Sequence, residues 1–144
     1  MNFKVQRFQQ GHPLYTLASL MHEGKFYQSV FGQCVAEDGT FLHYTLERLD
    51  TLILEGVYNY DLYFSPHNKT TVPRLTMFEG VNISARELES HIANWAYELD
   101  GCTAHGKSII LSTCTLAGSG IAFHELMNMI AGQTGTITYE KFIN

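Results

Sequence analysis

Short runs of aromatic and β-branched residues, each closed by a turn signal, fill the first half of the chain. The run at 25–36 reads KFYQSVFGQCVA and is followed by Asp38-Gly39 and then by TFLHYTL. Asp-Gly between two such runs predicts a β-hairpin with a type I′ turn, in which both central residues need positive φ. Gly32 within the first run predicts a β-bulge. A third run, GVYNYDLYF at 56–64, ends at Ser65-Pro66 and predicts another strand.

The last third of the chain predicts a helix and then a strand. Ser119 can cap a helix that ends before Gly132, and TITYEKFI follows at 136–143. The apolar stripe of this helix consists of Ala122, Phe123, Leu126, Met127 and Ile130. A chain of 144 residues is long enough for one core and short for two. We therefore expect a single, compact, β-rich α+β domain over residues 1–144, a mostly antiparallel sheet or partial barrel with one or two helices, one of them near 119–131.

Residues 84–101 have two interpretations. Ser84 with Glu87 matches a capping box, and apolar residues then recur at helical spacing as far as Gly101, which predicts an amphipathic helix. Those apolar residues are Leu88, Ile92, Trp95 and Leu99. Alternation of polar and apolar residues over 87–92 predicts instead a short strand, followed by a loop from Asn94 to Gly101. Local periodicity alone favours the helix.

Charge and cysteine content narrow the function classes. The formal charge is −5, so the chain as a whole lacks the basic surface that binds nucleic acid or an anionic membrane. Its three cysteines, Cys34, Cys102 and Cys114, form no CxxC pair, which is typical of a reducing compartment. No signal peptide is readable in MNFKVQRFQQGH, and we expect a soluble cytoplasmic protein.

Several short motifs occur in a definite order between residues 40 and 131. They are Thr45-Leu46-Glu47-Arg48, Gly56-Val57-Tyr58, Ser65-Pro66, Pro73, His91-Ile92-Ala93-Asn94, Gly101-Cys102, Gly106 and Ser112. In this order the chain resembles a family of small phage and bacterial domains catalogued as a domain of unknown function. Ala93 stands where that family usually has Gly. The resemblance implies the strand-and-loop interpretation of 84–101 and a phage-associated protein in the host cytoplasm or the virion.

His91 and Cys102 are the residues to which this resemblance draws attention. A histidine upstream of a Gly-Cys turn can act as the base for a thiolate nucleophile, and Asn94 can orient the imidazole. The arrangement is distantly similar to the L,D-transpeptidases, which implies acyl transfer or hydrolysis on cell-wall peptides. Gly101 would allow a tight turn that exposes the sulfur. Arg48, Gly101, Gly106 and Ser112 are the predicted ligand-binding residues.

Other interpretations of the same residues remain open. Free cysteines are often core residues, and we assign no role to Cys34, Cys114 or the scattered histidines, among them His43. His91, Cys102 and His105 could ligate zinc, but no fourth ligand is evident, and we predict neither metal nor cofactor. The alternative function is that of a non-catalytic phage protein, either a virion component or a module that binds a small ligand such as a host nucleotide signal. Expected partners are a peptide or small molecule, virion proteins or a second copy of the chain.

Overall fold

The computed structural model describes residues 1–144 and has the α+β fold expected from the sequence. It contains twelve strands and one α-helix. The strands are β1 (Phe3–Arg7), β2 (Ser19–His22), β3 (Lys25–Ala36), β4 (Phe41–Arg48), β5 (Gly56–Ser65), β6 (Thr70–Phe78), β7 (Val81–Asn82), β8 (Ser90–His91), β9 (Thr103–Gly106), β10 (Ser108–Ile110), β11 (Thr115–Ala117) and β12 (Gly135–Tyr139). The helix α1 spans Ser119–Ile130, and no helix is long and apolar enough to cross a membrane.

Ten strands form one curled, mixed sheet. Its order is β7-β6-β5-β12-β1-β3-β4-β9-β8, with β2 paired to the outer part of β3, while β10 and β11 form a separate hairpin. The pairs β1–β12 and β8–β9 are parallel, and all others are antiparallel. Arg74 of β6 forms a lone antiparallel bridge with Glu89, and the Leu75 N–H donates to the Leu88 carbonyl at 2.9 Å. The two ends of the sheet therefore meet, as in a partial barrel.

The β3–β4 hairpin confirms the strongest turn signal in the sequence, although the turn type differs from the prediction. The Gly39 N–H donates to the Ala36 carbonyl at 2.9 Å, and the Thr40 carbonyl accepts from Ala36 N–H at 2.8 Å. Gly39 has φ +91°, but Asp38 has a negative φ, so the turn is not type I′. The Asp38 carboxylate instead accepts a hydrogen bond from Thr40 N–H at 3.0 Å.

Gly32 has a packing role, and the predicted bulge at this position is wrong. The register of β3 against β4 shifts between Cys34 and Val35, two residues further along. A Cβ at Gly32 would lie 2.5 Å from the carbonyl oxygen of Gln6, so only glycine lets β1 approach β3 this closely.

Helix α1 covers one face of the sheet. Its stripe buries Ala122, Phe123, Leu126 and Ile130, as the periodicity predicted. Leu126 and Ile130 pack in a core with residues of β1, β5 and β12, and a second core lies on the other face, around Phe31, Leu46 and Leu99. The predicted cap is wrong by one residue: Gly118 precedes the helix, and the Ser119 hydroxyl accepts from Ala93 N–H at 3.1 Å instead.

Residues 84–101 form a short strand and a loop, as the family resemblance implied. The helical interpretation is wrong, because only the single 3₁₀ turns Ser84–Arg86 and Ala96–Glu98 are helical. Glu87 has φ 51°, which ends the first of these turns where the capping box required a helix to continue. β8 pairs with β9, so a long-range strand contact overrides the local period.

Candidate metal centre

Three potential metal ligands lie on neighbouring strands under α1. Cys34 of β3 is directly opposite His43 of β4, and His105 of β9 is opposite Thr45, two residues beyond His43. Residues that are opposite one another, or two apart on one strand, point to the same face of a sheet. The register of β3, β4 and β9 therefore directs the thiol and both imidazoles to one place.

The ligand atoms of this group, the Cys–His–His cluster (Cys34, His43 and His105), all lie within 4.8 Å of one another. The two imidazole rings are 6.1 Å apart between centroids and nearly perpendicular, at 87°. Exposure of the three residues is 0%, 1% and 0%, so the cluster is closed to solvent. No other Cys, His, Asp or Glu belongs to the cluster.

Hydrogen bonding leaves three nitrogens of the cluster without partners. His43 Nε2 lies 3.2 Å from the Glu125 carboxylate, which also accepts from Lys107 Nζ at 2.9 Å. An ionised carboxylate can only accept a hydrogen bond, so Nε2 of the neutral His43 ring carries the proton. The lone pair of the ring is then on Nδ1. His43 Nδ1 and both nitrogens of His105 are buried with no hydrogen-bond partner. Such orphaned polar atoms are rare in native proteins and call for a partner.

Burial determines the protonation of the cluster. It lowers the pKa of His105 to about 3, with further contributions from His43 and His91, and it lowers the pKa of His43 against the attraction of Glu125. Burial also raises the pKa of the Cys34 thiol. At neutral pH both rings are therefore uncharged and able to act as ligands, and the thiol keeps its proton unless a cation is present to stabilise the thiolate.

The predicted cysteine–histidine site lies elsewhere, beside a cavity at the β8 edge of the sheet. His91 and Cys102 both line this cavity, which has a volume of about 170 Å³. The Cys102 sulfur accepts from Glu89 N–H at 3.5 Å and donates to the Glu87 carbonyl at 3.7 Å. Burial and the carboxylates of Glu89, Asp100 and Glu87 raise the pKa of this thiol to about 11, whereas the Glu89 N–H bond opposes the rise. These surroundings favour the thiol over the thiolate.

Asn94 forms no hydrogen bond with the His91 ring. The His91 Nδ1 lies 3.1 Å from the carbonyl of Ile92, while the exposed Asn94 is joined through its backbone to Glu98 and Leu116. Asn94 therefore does not orient the His91 imidazole as the sequence predicted.

The four predicted ligand-binding residues are dispersed. Arg48 is bonded to Asp50 at 2.7 Å and to Asp100 at 3.2 Å, whereas the neighbouring Glu47 faces inward and binds Arg7 at 2.7 Å. Gly101 has φ +78° and lines a different cavity, of about 480 Å³. Gly106 is buried in β9 against Leu116, and Ser112 is exposed in the turn after β10.

Sequence reasoning could place Cys34 and His43 on one hairpin, but not opposite each other. Ala36 pairs with Thr40 across the turn, and the register shift between Cys34 and Val35 is what brings Cys34 opposite His43. Only the pairing of β4 with β9 adds His105, across some sixty residues of intervening chain. No ligand role was expected for Cys34 or His43, and the zinc ligands considered from the sequence (His91, Cys102 and His105) share only His105 with the cluster.

Comparisons with known proteins add no assignment. No protein-family model, no curated protein and no solved structure matches the chain.

Proposed function

We propose that the protein binds one transition-metal ion through Cys34, His43 and His105. The observation that carries the proposal is the set of unpartnered nitrogens of His43 and His105, which are buried within ligand distance of a thiol. An ion would accept a lone pair from each ring and stabilise the Cys34 thiolate, which gives a partner to His43 Nδ1 and to one nitrogen of His105.

The ligand set selects the class of ion. One thiolate with two imidazoles suits Zn²⁺ or copper and is a poor match for Mg²⁺ or Ca²⁺, which prefer oxygen. Zn²⁺ usually takes four ligands, whereas copper also accepts a trigonal His₂Cys set. The shared chemistry is therefore a late transition metal held by sulfur and nitrogen, and binding experiments with both ions decide between them.

The enclosure of the cluster indicates the role of the ion. Catalytic metals keep a coordination position open to water or substrate, but no cluster residue is exposed or lines the cavities of about 60 to 480 Å³ on the surface of the protein. Glu125, bonded to His43 Nε2 and steadied by Lys107, is placed as the carboxylate that orients a metal-binding histidine. We assign the ion a structural role: it joins β3, β4 and β9 beneath α1.

Cobalt(II) titration of chelator-treated protein tests this proposal. Co²⁺ bound to a thiolate produces charge-transfer absorption in the near ultraviolet and d–d bands in the visible, and Zn²⁺ and Cu⁺ should each bleach these bands by displacement. Cys34→Ser should abolish the charge-transfer band, and His43→Ala should weaken binding strongly. Cys102→Ser is the matched control, because it removes the thiol of the other histidine-containing site.

The same variants distinguish between two possible sets of zinc ligands that have His105 in common: the Cys–His–His cluster, and His91 with Cys102. Loss of the band in Cys102→Ser and His91→Ala, with Cys34→Ser unaffected, would transfer the site to His91, Cys102 and His105. Absence of a band in the folded wild-type protein would reject metal binding by the thiols.

A second proposal, carried by the shared cavity of His91 and Cys102, is cysteine-dependent acyl transfer on cell-wall peptides. Its support is weaker, since the surroundings of Cys102 disfavour a thiolate. It predicts that the rate of Cys102 alkylation depends on His91. The phage origin and the alternative roles as a virion component or nucleotide-binding module stay predictions of the sequence.

A further inference from the structure

The cavity beside β8 has an unusual lining. It lies where the two ends of the curled sheet meet, between the turn after β5 and the loop that precedes β9. Its lining consists of His67, Asn68, Glu87, Glu89, His91, Glu98, Asp100 and Cys102. Four of these residues are acidic, and none is a lysine or arginine, so the cavity concentrates negative charge between partly low-dielectric walls.

Existing partners leave this charge mostly uncompensated. Glu87 is bonded to the Tyr63 hydroxyl, Glu98 to the backbone N–H groups of residues 94 and 95, and only Asp100 has a cationic partner, Arg48. Arg74 is the other nearby cation, but it is paired with Asp61 at 2.7 Å and stacked on Tyr63.

Two acceptors in the wall are nine-tenths buried and incompletely satisfied. Glu89 is 6% exposed, forms no ion pair within bonding distance, and has one side-chain partner, the neutral Asn68 amide at 3.1 Å. His91 is 7% exposed, and because its Nδ1 faces the Ile92 carbonyl, Nδ1 carries the proton and Nε2 the lone pair. His91 Nε2 has no partner in the protein. A carboxylate without an ionic partner and a free imidazole lone pair in one wall suit a ligand that donates several hydrogen bonds and carries positive charge.

The Cys–His–His cluster is the one group of Cys, His, Asp and Glu residues whose ligand atoms converge closely enough to hold a metal ion, and no residue of this lining belongs to it. The cavity instead has room for the end of a chain, at about 170 Å³. We propose that it binds the terminal ammonium or guanidinium group of an alkyl chain, with Glu89 and His91 Nε2 accepting its N–H groups and the other carboxylates surrounding it.

A titration with n-butylamine and n-butylguanidine, followed by amide chemical shifts in phosphate buffer, tests the proposal, and 1-butanol is the neutral control. Both cations should shift the amides of residues 87–102, with an affinity that falls as salt is added, whereas 1-butanol should leave them unchanged. Glu89→Gln keeps the acceptor for Asn68 but removes the charge, and should weaken cation binding about tenfold or more. Glu87→Gln, at an exposed position, should weaken it less and serves if Glu89→Gln does not fold.

Glu55→Gln is the matched control, because Glu55 is exposed outside the cavity and the substitution changes the net charge equally. Spermidine and N-acetyl-lysine methylamide then distinguish a free polyamine from a protein side chain as the source of the group. Shifts no larger with n-butylamine than with 1-butanol would overturn the proposal, as would equal binding by the wild-type, Glu89→Gln and Glu87→Gln proteins. This result is independent of the metal, since Cys34→Ser leaves every lining residue in place.

Discussion

The protein has two places where cysteine and histidine share a site, and their environments are opposite. The Cys–His–His cluster is closed to solvent, neutral and without hydrogen-bond partners for three of its nitrogens. His91 and Cys102 line an acidic cavity, and the Cys102 sulfur is engaged with backbone groups of Glu87 and Glu89. We propose a metal ion as the partner of the closed cluster, and an alkyl ammonium or guanidinium group as the partner of the acidic cavity. Residue types alone therefore say little about which chemistry a cysteine and a histidine perform.

Metal-dependent stability should show the largest difference between the two places. With Zn²⁺ or copper at about a thousand times its Kd, binding to the folded state alone adds about 4 kcal/mol to the free energy of unfolding. For a chain of this size that corresponds to a rise in Tm of roughly 10 °C. Thermal unfolding with metal and with chelator measures the increment. It should vanish in Cys34→Ser and persist in Cys102→Ser; the reverse pattern would exchange the roles of the two sites.

Acid should destabilise the metal-free protein through the cluster. His105, with its pKa lowered to about 3, and His43, whose pKa is also lowered, are neutral when folded, whereas in the unfolded chain both gain protons below about pH 6.5. Stability is therefore complete above the unfolded value and falls as the pH drops below it, by up to about 1.4 kcal/mol per pH unit for each histidine. Urea unfolding with chelator, between about pH 6.5 and about pH 5, avoids most carboxylate titration.

The matched variant for this pH dependence is His105→Leu. Its free energy of unfolding should fall less steeply with decreasing pH than that of the wild type, because one histidine fewer gains a proton on unfolding. Equal slopes in the wild-type and His105→Leu proteins would show that His105 is solvated and protonated in the folded state.

His105→Leu should also stabilise the metal-free protein at neutral pH. Both nitrogens of His105 are buried without partners, and replacing an unsatisfied polar group by an apolar one of similar size gains about 1–3 kcal/mol. Metal would no longer stabilise this variant, so its Tm should exceed that of the wild type in chelator and fall below it in saturating Zn²⁺ or copper. A lower Tm in both conditions would mean that the imidazole has a partner in solution.

Alkylation of Cys102 should give the smallest effect. With Cys34 and Cys114 replaced by Ala, labelling by iodoacetamide should be slow at neutral pH and accelerate only toward the thiol pKa of about 11. His91→Ala should change the rate little, because carboxylates and burial, rather than the imidazole, dominate the environment of the sulfur. Fast labelling with a pKa below ~8.5 that is lost in His91→Ala would instead support the acyl-transfer proposal.

The parts of the fold that local chemistry specifies were predictable. The Asp38-Gly39 hairpin, the strand from Gly56 and the helix at 119–130 each rest on turn residues or a period contained in one segment. The prediction from local period failed at 84–101, where helical spacing of apolar residues competes with the pairing of β8 to β9. In this segment the burial of each apolar residue depends on strands outside the segment. The spacing of apolar residues within the segment carries no information about those strands.

The sequence by itself determined the residue types, the hairpins and the amphipathic helix, because each depends on groups a few positions apart. It placed Cys34 and His43 on the two strands of one hairpin, but the register shift between Cys34 and Val35 decided that they lie opposite each other. Tertiary structure alone decided that His105 joins them, that Glu47 binds Arg7, and that four carboxylates surround His91 and Cys102. These contacts arise where the curled sheet brings distant strands together, and burial and charge at such places depend on every neighbouring strand at once.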